Sequence, residues 1–144
     1  MAIGAKTAAA TSHSLFMSEP EAMAALLREG VRLFNDAEYL EAHEVLEELW
    51  ESGFGESADF YKGLLQASIA LHHFRRGNLD GARKLYRGHR RYLATYLPNH
   101  QGIAVAEFLE DMQAFLQPVI RAAADASIPF EPASRPRMKF QTIE

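Results

Sequence analysis

From Met23 to Ile120 the apolar residues of this chain recur three or four apart, and no segment alternates convincingly with a period of two. Spacing of that kind admits one class of architecture, helices packed on helices. Punctuation divides the pattern into five. Ser18-Glu19-Pro20-Glu21 reads as a helix start, with Ser18 as cap, Pro20 in the first turn and Glu21 placed for a capping box. Met23, Leu26, Leu27, Val31 and Phe34 give the first helix its apolar face. Asn35 or Asp36 is expected to cap a second, which carries Tyr39, Ala42, Leu46, Leu49 and Trp50 and stops at Ser52-Gly53-Phe54-Gly55.

The third helix is expected over about 57–76. Its apolar residues, Phe60, Leu64, Leu65, Ala67, Ile69, Ala70, Leu71 and Phe74, cover most of the circumference and mark it as the central one. After Gly77-Asn78 a fourth runs over about 79–97 and ends at Pro98-Asn99. A fifth runs over about 103–124, with Pro118 expected to kink or interrupt it. A shift of forty residues aligns Phe34 with Phe74, Tyr39 with Leu79 and Ala42 with Ala82. The same turn, apolar residue and small residue thus recur, as in tetratricopeptide-like hairpins. The expectation is an all-α domain of five antiparallel helices without a sheet. Residues 18–126 form its body, 1–17 a mobile tail, and 127–144, with Pro129, Pro132 and Pro136, an extended tail.

The 144 residues suit one domain that folds without a disulfide or metal staple. There is no cysteine, so thiolate metal sites, iron–sulfur clusters and cysteine nucleophiles are excluded. No apolar run reaches the roughly 20 residues that span a bilayer, and residues 1–18 lack the apolar core of a signal peptide. The expected compartment is the cytoplasm, with no membrane partner.

Charge is segregated within a net −4. Between Leu33 and Tyr61 there is no Lys or Arg, only carboxylates, whereas from Arg75 to Arg91 seven basic residues face Asp80 alone. Acidic and basic helices can lie side by side or meet across a dimer interface, so a second copy or a protein partner is expected. The basic stretch with Tyr86 and Tyr92 raises nucleic acid as a ligand. The overall acidity, the apolar placement of those rings and the lack of a reading motif argue against it.

The chemistry-bearing residues gather in the second helix. His43 and Glu47 share a face, and Glu44 and Glu48 form a second such pair turned by about 100°. A His and a carboxylate at this spacing can hold a divalent metal, the one cofactor the cluster would take. The metalloprotease motif, however, needs a second His where Glu47 stands, and the Glu-x-x-His pair of di-metal bundles is absent. If the second and third helices form a hairpin, Lys62 and Gln66 lie opposite His43 and Glu47, with His72 two turns further on. The alternative is a half-buried packing network in which Glu47 pairs with Lys62 or Gln66. His72 and His73 diverge and should not chelate together. His89, beside Arg90 and Arg91, reads as part of a basic face, and His100 as a loop residue. Ser68, mid-helix, is expected to bond its own backbone. No Gly-rich phosphate loop or serine elbow is present.

The stretch from Phe34 to Trp50 resembles the signature of an all-helical family, domain of unknown function 309. Gly63-Leu64-Leu65-Gln66 with Ala70-Leu71-His72, and Arg76-Gly77-Asn78 with Gly81-Ala82, extend the resemblance over about 20–97. It implies a compact helical fold without an established activity, some relatives bearing the loose label of metal-dependent hydrolase. The residues that match its polar motif are Glu41, His43, Glu44, Glu47, Gln66, His72, Arg76 and Asn78. Two functions follow as expectations, with anionic-ligand binding by Arg75, Arg76 and Arg87 as a third alternative. One is a scaffold with a polar pocket lined by Glu41, His43, Glu44, Glu47, Lys62, Gln66, His72 and Arg76. The other is a metal-dependent hydrolase using His43, Glu44 and Glu47.

Overall fold

The computed structural model describes residues 18–52 and 56–141. The expected tail at 1–17 and the Gly53–Gly55 stop lie outside the described residues. Five α-helices run through the described chain: α1 (Glu19–Asn35), α2 (Tyr39–Ser52), α3 (Ala58–Arg75), α4 (Leu79–Leu93) and α5 (Val105–Arg121). The first four pack as two successive hairpins, each helix chiefly against its sequence neighbours, so α3 lies between α2 and α4. It is the most enclosed helix, with Phe60, Leu64, Ala67, Ala70 and Leu71 fully buried. The capping box at Ser18 and Glu21 starts α1.

The two hairpin turns are built alike, which gives the forty-residue repeat its physical content. At the end of α1 the Ala37 N–H donates to the Phe34 carbonyl and the Glu38 N–H to the Leu33 carbonyl. At the end of α3 the Gly77 N–H donates to the Phe74 carbonyl and the Asn78 N–H to the His73 carbonyl. Both are Schellman turns, closed by a residue in the left-handed region: Ala37 at φ 63° and Gly77 at φ 83°. Neither Asn35 nor Asp36 caps α2. Asp36 instead closes the α1 terminus and pairs with Arg32, while Asn35 turns to the far end of the chain.

The helices approach closely where a side chain is missing. A Cβ on Gly63 of α3 would lie 2.6 Å from the Leu93 side chain, and one on Gly88 of α4 would collide with the Gln66 amide oxygen. The α3–α4 crossing therefore depends on both glycines.

Helix α5 closes the other side with Phe108, Met112 and Leu116 buried. The Phe108 ring stands edge-on to Phe34 at 5.5 Å. Pro118 does not interrupt the helix, which continues past it to Arg121. The helix starts two residues later than expected, since Ile103 and Ala104 are taken by a small addition to the all-α plan. Strands β1 (Asn99–His100) and β2 (Ile103–Ala104) pair antiparallel around Gln101 and Gly102, which have φ of 49° and 81°. Both central residues are left-handed, as a tight hairpin turn requires. Two residues per strand are too few for a period-two signal.

After α5 the proline-rich segment, with one 3-10 turn at Pro132–Ser134, lies across the body. Phe130 inserts between Phe74 and Phe115, each 5.2 Å away, and faces Tyr39 at 6.2 Å. The Asn35 side chain then engages the Met138 backbone from both sides, accepting from its N–H at 2.8 Å and donating to its carbonyl at 2.9 Å. Finally the Ala104 N–H donates to the Lys139 carbonyl and Phe140 bridges to Ile103, adding an edge to the hairpin.

Candidate functional site: the polar seam of the second and third helices

Helix α2 buries Ala42, Val45, Leu46 and Leu49, and this leaves His43, Glu44 and Glu47 half-buried at the flanks and Glu41 exposed. The facing positions of α3 divide their attention. Lys62 places its ammonium 4.0 Å from the centre of the Trp50 ring, a cation–π contact within one helix pair. The expected pairing of Glu47 with Lys62 or Gln66 is replaced by this contact and by Gln66 turning to α4. The physical reason is Gly88, whose bare backbone leaves room for the Gln66 amide.

His72 sits at the opposite end of the seam. Burial lowers its pKa from the ordinary histidine value, and Arg76, His73 and Arg75 act in the same direction, while Glu41 opposes them. The His72 Nδ1 is buried and without a hydrogen-bond partner. His72 and His73 rings are 6.0 Å apart and tilted, and the His73 Nδ1 meets the Asn78 amide at 3.3 Å. His72 thus lies toward one end of the seam and Lys62 with Trp50 toward the other.

Among the described residues no group of three or more His, Asp or Glu side chains converges closely enough to hold a metal ion. His43 and Glu47 share a helix face as the spacing predicts, but a zinc site takes three or four protein ligands, more than these two supply.

Three polar features escape sequence reasoning. His89 does not belong to a basic face: it is fully buried in α4, its ring 5.5 Å from Phe108 and 5.9 Å from Tyr86. Neither ring nitrogen has a partner of hydrogen-bond geometry. Burial, then the Arg90 charge, push its pKa from 6.5 down to about 3, with the Gly63 backbone acting the other way. Its glycine neighbour, Gly88, was the available signal, since a glycine in a helix marks the face that meets another helix. Second, His100 is not an idle loop residue. Its Nε2 lies 2.9 Å from the Ser57 hydroxyl, and its ring packs at 4.6 Å from both Phe60 and Tyr96. Gln101 joins this group, donating to Ser57 and to Tyr61 at 2.9 Å each. Third, Arg75, Arg135 and Arg137 gather at the end of α1. Sixty residues of sequence separate the first from the others, so no local pattern announces them. Ser68 behaves as expected, donating to the Leu64 carbonyl at 3.2 Å.

The comparison with known proteins bears on part of this chain. Residues 27–85 match the family model described as "Domain of unknown function (DUF309)". An uncharacterised protein of Aquifex aeolicus (strain VF5) is 32% identical over 100 residues, 67% of this chain and 28% of that protein. The uncharacterised protein YpuF of Bacillus subtilis (strain 168) is 41% identical over 49 residues, 33% of this chain and 28% of that protein. The chain therefore matches less than a third of the length of these relatives. Residues 27–85, from the middle of α1 through the first turns of α4, are thus the part of the chain that matches the family the three sequence motifs resemble.

Proposed function

We propose that this domain is a non-enzymatic helical scaffold that works through its outer faces. The observation that supports this most directly is the use made of the seam's polar side chains, which serve as packing groups. Lys62 lies on Trp50, Gln66 fills the space over Gly88, and burial lowers the pKa of His72. The outer faces have complementary character. On α2, Leu40 is 48% exposed, next to the exposed carboxylate of Glu41 and about three turns before that of Glu51. On α4, Lys84, Arg87 and Arg91 are exposed along one face. An acidic face and a basic face on one chain suit a protein partner of opposite charge or head-to-tail association with a second copy. Sedimentation at low and high salt tests the second-copy case, since screening weakens contacts between exposed charges.

The rival reading is a metal-dependent hydrolase at His43, Glu44 and Glu47. Elemental mass spectrometry of protein purified without an affinity tag separates the two, alongside His43→Ala. The scaffold reading expects metal-free protein, no thermal stabilisation by Zn²⁺, Mn²⁺ or Ni²⁺, and a loss of about 1–2 kcal/mol of stability in the variant. A near-stoichiometric transition metal that disappears in a still-folded His43→Ala protein would replace the scaffold by the hydrolase.

A further inference from the structure

Three guanidinium groups converge where the C-terminal segment crosses the first hairpin turn. Arg75 donates to the Ala37 carbonyl at 2.8 Å and lies over the Tyr39 ring, 4.8 Å from its centre, and within 6.0 Å of Phe130. Arg135 donates to the Asn35 carbonyl at 3.0 Å and to the Pro132 carbonyl at 2.9 Å. Arg137 reaches the same Asn35 carbonyl at a long 3.4 Å. Cations at a helix C-terminus are favourable, and one of them would satisfy it. Here there are three, and among the described residues none has a carboxylate within ion-pair distance. The Nε of Arg135 is buried without an acceptor, and the hydroxyl of the fully buried Tyr39 has no partner either. The carbonyls they reach, Asn35 and Ala37, are two residues apart, so the three guanidinium groups meet at one turn.

A cavity of about 510 Å³ adjoins the cluster, with Arg135 and Arg137 in its wall. That is the size of a small-molecule site. Its remaining wall is largely apolar, with Phe74, Phe115 and Ile128. Lys139, also in the wall, is paired with Glu107. Two carboxylates, Asp111 and Glu131, line it as well and offset the two arginines of the wall, so the positive excess comes from Arg75 beside it. Guanidinium forks match oxyanions bidentately, and several forks together favour a doubly charged group over a carboxylate.

We propose that Arg75, Arg135 and Arg137, with the cavity beside them, bind a small phosphomonoester that carries an apolar body. The phosphoryl oxygens take the unused guanidinium N–H groups and the apolar body occupies the space against Phe74 and Phe115. The site lies mostly outside residues 27–85, so it is independent of the scaffold reading, and it uses no residue of the α2–α3 seam.

Titration calorimetry on the full chain at low salt tests this, with phenyl phosphate, inorganic phosphate and benzoate as probes. Phenyl phosphate is expected to bind more tightly than either of the others. Arg137→Gln should weaken it about tenfold, the loss of one charge-assisted contact. Circular dichroism and thermal melting check that the variant folds, which its single long hydrogen bond makes the expected result. Glu131→Gln should tighten binding several-fold by removing a like charge, a gain that misfolding cannot produce. Absence of phenyl phosphate binding up to about 10 mM would overturn the proposal. So would an affinity unchanged in Arg137→Gln, or benzoate binding as well as phenyl phosphate. Phosphatidylcholine vesicles with and without phosphatidic acid form a further arm: retention on the acidic vesicles without phenyl phosphate binding would assign the cluster to a membrane surface and overturn the small-molecule site.

Discussion

Ala37 and Gly77 hold the same position in two successive helix-ending turns, forty residues apart, and both are in the left-handed region, at φ 63° and 83°. Glycine adopts that conformation freely, whereas an L-residue is opposed by its Cβ, at a cost of about 1–2 kcal/mol. The first turn therefore carries strain that the second does not. Ala37→Gly is expected to raise stability by about 0.5–1 kcal/mol, the relief of strain less the extra chain entropy of glycine. Gly77→Ala should lower it by about 1 kcal/mol through the backbone alone, since a Cβ there meets nothing within 4 Å. Urea unfolding of both variants checks the pair, and equal effects of the same sign would mean the turns are not equivalent.

His89 makes stability depend on pH in a defined window. Its pKa falls from 6.5 to about 3 in the folded chain. Above pH 6.5 the ring is neutral in both states and contributes no slope. As pH falls from 6.5 toward 3, the unfolded chain takes up a proton that the folded one refuses, and stability declines by about 1.4 kcal/mol per pH unit. His72 and His100 are shifted in the same direction and add to the decline. His89→Leu isolates the one group. Between pH 7 and 5 the variant should lose about 2 kcal/mol less than the wild type. Parallel pH profiles for the two proteins would show that His89 is not the source.

Trp50 is the chain's single tryptophan, which makes its contact with Lys62 directly observable. Lys62→Met keeps the aliphatic packing and removes the charge. The expected cost is about 0.5–1 kcal/mol, with a change in Trp50 emission in the folded state. Emission identical to that of the wild type would place the ammonium elsewhere.

The two hydrogen bonds from Asn35 to Met138 join residues 103 apart in sequence and hold the C-terminal segment on the helices. Asn35→Ala leaves the partly buried Met138 amide groups without those partners, and the expected cost is about 1–3 kcal/mol. Hydrogen exchange at the Met138 N–H should accelerate more than exchange in α3. Uniform acceleration would instead indicate global destabilisation rather than release of the segment.

Overpacking tests the α3–α4 crossing. Gly63→Ala improves helix propensity but places its methyl group 2.6 Å from the buried Leu93 side chain. The net expectation is a loss of about 1–2 kcal/mol. Gly63→Ala combined with Leu93→Ala should recover part of it, and a double-mutant cycle measures how much.

What the sequence alone determined was the helical class, the five apolar faces, the central place of α3 and the kinship of the two hairpin turns. Each rests on spacing within one segment: the face of an amphipathic helix and the residue that ends it are local properties, legible in some ten to twenty neighbours. Even the resemblance over Phe34–Trp50 is read from a continuous stretch. Tertiary structure decided which polar residues meet. Gln66 leaves the α2 seam because a glycine on α4 admits it, and His89, flanked by arginines in sequence, is carried into the core by the turn of its helix. Arg75 meets Arg135 and Arg137 only because Phe130 and Met138 draw the C-terminal segment across the first hairpin. A side chain's partners depend on helix rotation and on contacts between distant segments. Those are set by the summed packing of the whole core, which no local pattern encodes.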